Sequence, residues 1–251
     1  MAGLGKVYLI GAGPGAQDLI TLRGARLLAQ ADVVLHDALV TPEMLELCPQ
    51  ALKVAVGKRC GKLSTAQAFI NKQMLDYASK FRLVVRLKGG DPMLFGRADE
   101  ELRALEAAGV EVEVVPGITT ALAAAAATRQ PLTKRGVARS VAFFTSSTAT
   151  EHAGDHVTVP DTDTLVQYMG GREAIATARR LLDQGRRADT PVVVIENCSR
   201  PDQRILRLTL AKLARGLGDA HGPVLVMLGE ALKMREHQAP DGDQVDRLKS
   251  A

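Results

Sequence analysis

Strand and helix signals alternate over the first half of the chain, and this alternation constrains the fold more than any other feature. KVYLIG (Lys6–Gly11), ADVVLHD (Ala31–Asp37), LKVAVG (Leu52–Gly57), RLVVRL (Arg82–Leu87) and VEVEVV (Val110–Val115) read as strands. Between them, Leu19–Ala31 has helical spacing. Ser64-Thr65-Ala66-Gln67 fits a capping box ahead of Phe69, Ile70, Met74 and Leu75. Ala98–Ala108 completes the alternation. Such a pattern predicts an α/β fold with a parallel sheet and helices on both faces.

Pro116-Gly117 breaks the pattern, and an alanine-rich helix is expected over Thr120–Thr128. The composition then changes. SVAFFTS (Ser140–Ser146), TLVQYMG (Thr164–Gly170), TPVVVIEN (Thr190–Asn197) and GPVLVMLG (Gly222–Gly229) read as strands, with QRILRLTL (Gln203–Leu210) as a hairpin arm. One long helix is expected over Arg172–Gln184. The predicted organisation is an N-terminal domain over 1–117, a second α/β domain over 118–235 and a disordered polar tail over 236–251.

Composition narrows the function classes. Aromatics are 3% of the 251 residues and Trp is absent, which argues against a base-stacking nucleic-acid module. The net charge is +4. Arg179, Arg180, Arg186 and Arg187 read as a solvated helix face, whereas Lys58, Arg59 and Lys62, and Arg129, Lys134, Arg135 and Arg139, fall in loops where an anionic ligand could bind. Cys48, Cys60 and Cys198 show no paired spacing, as expected for a reducing cytoplasm, and no metal site is expected. Neither a secretory leader nor a membrane span is expected.

The predicted strand ends carry the functional signal. They read Gly11-Ala12-Gly13-Pro14, His36-Asp37, Gly57-Lys58-Arg59, Lys88-Gly89-Gly90-Asp91-Pro92 and Pro116-Gly117. In a parallel sheet all five fall on one edge, where open α/β sheets bind ligands. Glycines there let backbone approach a ligand closely, and Asp91 offers an acceptor to ribose hydroxyls or a cationic amine. Gly11, Gly13 and Ala16 also match a dinucleotide fingerprint, with Asp32 and Asp37 where a ribose-binding carboxylate would lie. An NAD(P)-dependent oxidoreductase and a non-catalytic cofactor-binding module therefore stay open. Pro14, which lacks an N–H donor, favours a nucleoside over a nucleotide.

GAGPGAQDLITLRG, HDALV, GKRCGKLSTAQAFIN, VVRLKGGDPMLFGRADEEL, VEVVPGIT, PLTKRGVARSV, TLVQYMG and TPVVVIENCSRPDQRILRLTL resemble the uroporphyrinogen-III C-methyltransferases of the tetrapyrrole methyltransferase superfamily. The resemblance runs in order from about Lys6 to Leu232, and RLKGGDP…FGR is its most specific block. It is to the stand-alone form, without a dehydrogenase/ferrochelatase module.

The resemblance implies two α/β domains of the tetrapyrrole methylase type with the active-site cleft between them, a cytoplasmic homodimer, and S-adenosyl-L-methionine as cofactor. Pro14, Gly89, Gly90, Asp91, Leu94, Thr119, Thr120, Met169 and Cys198 match cofactor-binding positions, Cys198 through its backbone. Asp37 and Lys58 match a proton-handling pair. Arg97, Glu100 and Arg135 match positions on the tetrapyrrole side, where a guanidinium can grip a carboxylate bidentately. The implied reaction methylates uroporphyrinogen III at C2 and then C7, giving precorrin-2 through precorrin-1 with S-adenosyl-L-homocysteine as product. A methyltransferase acting on a later precorrin is the nearest alternative. The chain departs from the family pattern at Leu63, Lys134 and Ser147, where histidine is usual, and reads GRADEE for GRGGEE.

Overall fold

The computed structural model describes residues 3–56, 63–146 and 158–235. Lys58, Cys60, Ser147 and the tail expected over 236–251 lie outside them. The chain divides into two compact units, Met1–Thr120 and Ala121–Ala251.

The first unit is built on five strands: β1 (Lys6–Gly11), β2 (Val33–His36), β3 (Leu52–Ala55), β4 (Leu83–Lys88) and β5 (Val112–Val115). Their order is β3-β2-β4-β1-β5, and every pairing is parallel, as the alternation predicts. One face, with Val7, Leu9, Val33, Leu35 and Val84, packs on Ile70 and Met74 of α3 (Leu63–Ala78) and Leu105 of α4 (Ala98–Ala107). The other, with Ile10, Val34, Val85 and Leu87, packs on Leu28 of α1 (Leu22–Leu28) and Met44 of α2 (Pro42–Leu45). Period-two alternation of large aliphatics on both sides makes such strands apolar throughout. β3 and β5 are the outer strands of this sheet, each four residues long, and Leu52 in β3 is about half exposed.

One expectation is corrected here. The helix expected over Leu19–Ala31 is a 3-10 turn at Gln17–Leu19 followed by α1, because Thr21 caps Gly24 N–H at 3.1 Å and starts the helix later. α3 begins at Leu63, the side chains of the expected capping-box residues Ser64, Thr65 and Ala66 lie outside those described, and the Gln67 amide donates to Asn71 Oδ1 at 3.0 Å.

The second unit holds α5 (Thr120–Thr128) apart from its first residue, and the strands β6 (Val141–Thr145), β7 (Thr164–Tyr168), β8 (Pro191–Glu196), β9 (Arg204–Thr209) and β10 (Val224–Leu228). Their order is β6-β7-β10-β8-β9; β6 and β7 are parallel, and the other pairings are antiparallel. The expected hairpin arm is β9, paired with β8. α6 (Gly170–Asp183) and α7 (Leu210–Arg215) cover one face, burying Ala174, Ala178, Leu181 and Leu213 against Leu165, Val194 and Val226. Two of the long helices stop the same way. Gly109 (φ +70°) and Gly185 (φ +86°) return the Val110 and Arg186 N–H groups to the Leu105 and Leu181 carbonyls, closing Schellman turns.

Candidate active site

Parallel register places the carboxyl ends of β1, β2, β3, β4 and β5 on one edge of the first unit: Gly11 lies beside Lys88, His36 beside Leu87 and Ala55, and Ile10 beside Val115. Three loops meet there through backbone. Gly90 N–H donates to Gly13 O at 2.7 Å and Gly13 N–H to Gly90 O at 3.2 Å. A Cβ on Gly117 would lie 2.3 Å from Gly90 O and 2.7 Å from Gly11 Cα. A Cβ on Gly11 would lie 2.5 Å from Gly117 Cα. Gly11 and Gly117 are thus glycine because loops touch each other, and not because a ligand approaches, which corrects one expectation. Gly90 is different. Its φ is +69°, and nothing lies within 4 Å of where its Cβ would be. It presents bare backbone to open space, a cradle that fits an adenosine-bearing cofactor.

Asp91 accepts from Met93 N–H at 2.8 Å and Gly117 N–H at 2.9 Å, fastening the loop to the end of β5. Asp37 accepts from Leu39 N–H at 2.9 Å and Gly89 N–H at 3.3 Å. Both keep further lone pairs for a ligand. Pro14 is half-buried in the β1 loop, Leu94 half-buried in the β4 loop, and Thr119 and Thr120 half-buried where α5 begins. Arg97 and Glu100 form a bidentate pair, Nε–Oε1 2.7 Å and Nη2–Oε2 2.8 Å, with both side chains about half exposed. The first unit therefore gathers Pro14, Asp37, Gly89, Gly90, Asp91, Leu94, Arg97 and Glu100 along its strand ends. Lys58 lies outside the described residues.

The edge also contradicts the dinucleotide alternative. A pyrophosphate cradle needs the glycine loop to run directly into a helix N-terminus. Here α1 starts only at Leu22, well past Gly13. Asp32 sits at the start of β2, on the opposite edge, and accepts from Arg82 and Leu83 N–H groups at 3.1 and 2.8 Å.

In the second unit Met169 follows β7 and Cys198 follows β8. Both strands run antiparallel to β10, so these ends share one edge. Met169 is half exposed at φ +56°, the N-cap of α6. Cys198 is buried between Asn197 (φ +51°) and Ser199 (φ +60°). Burial pushes its thiol pKa up, which suits a backbone role over thiolate chemistry. Arg135 does not join them: it is exposed on the turn closed by Lys134 and Ala138, ahead of the start of β6. Among the described residues, five of the six non-glycine residues with positive φ, namely Phe95, Arg97, Met169, Asn197 and Ser199, lie in loops that follow strand ends. Such strain concentrates at functional sites.

One cluster escaped the sequence reading. Arg86 and Lys88, each 4% exposed, share the fully buried Glu101: Arg86 Nε–Oε1 3.0 Å and Lys88 Nζ–Oε2 2.7 Å. Gln67 reaches the same carboxylate at 3.5 Å, and Arg86 Nη1 donates to Leu87 O at 3.1 Å. Burial lowers the Lys88 pKa and the Arg86 charge lowers it further, against the opposing pull of Glu101 and Asp37. The signal was available. Two cations at alternate positions of an apolar strand face the same way and require a counter-charge.

Comparison with known proteins places these features. A profile of the Tetrapyrrole (Corrin/Porphyrin) Methylases matches residues 6–214. Siroheme synthase of Pseudomonas fluorescens (strain SBW25) is 44% identical over 237 residues, covering 92% of this chain and 51% of the relative. The chain thus spans about half the length of the curated relatives it matches. The native uroporphyrin III C-methyl transferase of Thermus thermophilus superimposes with a TM-score of 0.79 at 38% identity, covering 91% of this chain and 93% of that one. The same Thermus enzyme complexed with S-adenyl homocysteine gives 0.79 at 39%, covering 91% and 94%. A cobalt precorrin-4 methyltransferase gives 0.78 at 30%, covering 91% and 96%.

Proposed function

Because the chain belongs to the tetrapyrrole (corrin/porphyrin) methylase family, we propose that it methylates uroporphyrinogen III at C2 and then C7. The products are precorrin-2, through precorrin-1, and two molecules of S-adenosyl-L-homocysteine. We place it in the cytoplasm as a homodimer. The observation that carries the reading is the glycine edge of the first unit, with Gly90 open to a ligand, in a chain whose fold matches a uroporphyrin methylase holding S-adenyl homocysteine.

S-adenosyl-L-methionine, when bound, supplies a methyl group on a sulfonium, which an electron-rich pyrrole carbon attacks without an enzyme nucleophile. The protein's work is alignment, exclusion of water and proton removal. Gly89, Gly90, Asp91, Leu94, Pro14, Thr119, Thr120, Met169 and the Cys198 backbone are the residues we assign to the cofactor. Arg97, with Glu100 orienting its planar fork, grips a substrate carboxylate, and Arg135 is assigned a second such contact. Asp37, oriented by the Leu39 and Gly89 amides, takes the ring proton, with Lys58 as its partner.

The test is anaerobic incubation of the protein with S-adenosyl-L-methionine and uroporphyrinogen III, followed by mass spectrometry. Two added methyl groups are expected. No addition to uroporphyrinogen III, together with methylation of a later precorrin, moves the substrate to that alternative. Calorimetry adds a control: S-adenosyl-L-homocysteine binds and NADH does not, and the reverse result ends the reading.

A further inference from the structure

The β4 loop, residues 89–97, is an arch with two feet. One foot is the end of β4 at Lys88; the other is the first turn of α4, which carries Glu100 and Glu101. The near half bears Gly89, Gly90 and Asp91, and the far half bears Arg97. The Lys88 side chain runs beneath the arch: its Cε lies 3.1 Å from where a Cβ on Gly96 would be, and its ammonium reaches Glu101 at 2.7 Å. Lys88 thus ties foot to foot. Its own carbonyl accepts from Ala12 N–H at 2.7 Å, and the next amide, Gly89 N–H, donates to Asp37.

From this we infer that Lys88 is a positioning residue for the reaction: the Lys88–Glu101 bond sets the span between the cofactor-side and substrate-side halves of the arch, and with it the alignment of methyl donor and acceptor. The inference rests on the functional reading above. Stability does not account for Lys88. Arg86 already balances Glu101, so Lys88 adds a second buried cation whose other nearby counter-charge is the half-buried Asp37, and buried ion pairs seldom gain stability over apolar groups. Its lowered pKa has the same sense, since the fold disfavours the charged lysine. Alignment is a stronger reason to keep it, because a misplacement of about 1 Å costs on the order of 100-fold in rate.

Lys88→Met tests this, since it removes the ammonium, keeps most of the apolar stem and leaves Arg86 and Glu101 as a balanced pair, so the protein should fold. Hydrogen exchange read by mass spectrometry should show faster exchange over residues 93–98. The turnover number for methyl transfer should fall about 10- to 100-fold while the S-adenosyl-L-homocysteine Kd stays within about threefold. Lys88→Arg, which keeps a cation able to reach Glu101, should restore part of both the exchange protection and the rate. Unchanged exchange over the arch in Lys88→Met overturns the inference, as does looser exchange with turnover intact, or a parallel loss of turnover and cofactor affinity that Lys88→Arg does not repair. A wild-type protein that transfers no methyl to any tetrapyrrole instead fails the functional reading. The inference then falls with it, and the exchange arm shows separately whether Lys88 holds the arch.

Discussion

Asp37 and Asp91 each direct both carboxylate oxygens at backbone N–H groups, so the acids of the site edge shape the loops on which they act. Arg97 differs, because it pairs with a half-exposed glutamate three residues on, which a substrate carboxylate can rival. Arg97→Ala should raise the KM for uroporphyrinogen III about 10- to 100-fold, the equivalent of one charge-assisted hydrogen bond. The S-adenosyl-L-homocysteine Kd should hold within about twofold; equal losses in steady-state kinetics and calorimetry would remove Arg97 from the substrate side. In the second unit, Glu196 at the end of β8 is a structural acid. Burial raises its pKa, but the His221 and Gly222 amides and the Arg204 charge outweigh burial and hold it below the ordinary carboxylate value. Its folded pKa is therefore below the unfolded one. The stability it contributes is present above about pH 4.3 and is lost as pH falls through the folded value. Glu196→Gln should cost roughly 1–3 kcal/mol at pH 7 and flatten the acid limb of a denaturation series. An acid limb as steep as that of the wild type would show that other groups drive it.

The three-loop junction makes a sharper statement about elements. Gly117→Ala places a Cβ 2.3 Å from a carbonyl oxygen on another loop, with backbone on both sides and nothing flexible to yield. A loss above about 3 kcal/mol is expected, of the class that strain at special backbone sites produces. Calorimetry should show Tm lowered by roughly 6–12 °C for a chain of this size. Gly90→Ala meets no atom but must hold φ +69°, so its stability cost should be about 1–2 kcal/mol. Its methyl would point into the open cradle and weaken S-adenosyl-L-homocysteine about tenfold. A larger Tm loss for Gly90→Ala than for Gly117→Ala would reverse these roles. The sequence shows the elements well where period two or a turn residue marks them: all five parallel strands and the hairpin arm are legible. It does not show α2, a single turn behind Pro42, nor the delayed start of α1, since both follow from local caps and tertiary packing and not from periodicity. Within the site, the glycines and Asp37 are legible as strand-end residues. The reasons for Gly11 and Gly117 are not, because a contact between loops distant in the sequence leaves no local pattern.

Each unit has its own hydrophobic interior, built from its own residues. Leu105 and Leu165 are fully buried, one in each. Truncating either to alanine should cost about 2–5 kcal/mol. Hydrogen exchange should locate the loss: Leu105→Ala loosens β1 and β4 while β8 and β10 keep their protection, and Leu165→Ala does the reverse. Equal loosening of both sheets would mean that the interiors unfold as one. A final consequence attaches to one of the two outer strands of the parallel sheet. β3 is four residues long, mostly exposed, and carries Lys53 in its middle, so its unpaired side offers a foreign strand only a brief template guarded by a cation. At this edge the chain can therefore display the row of amides and carbonyls that an open sheet must end on and still resist aggregating through it at high concentration.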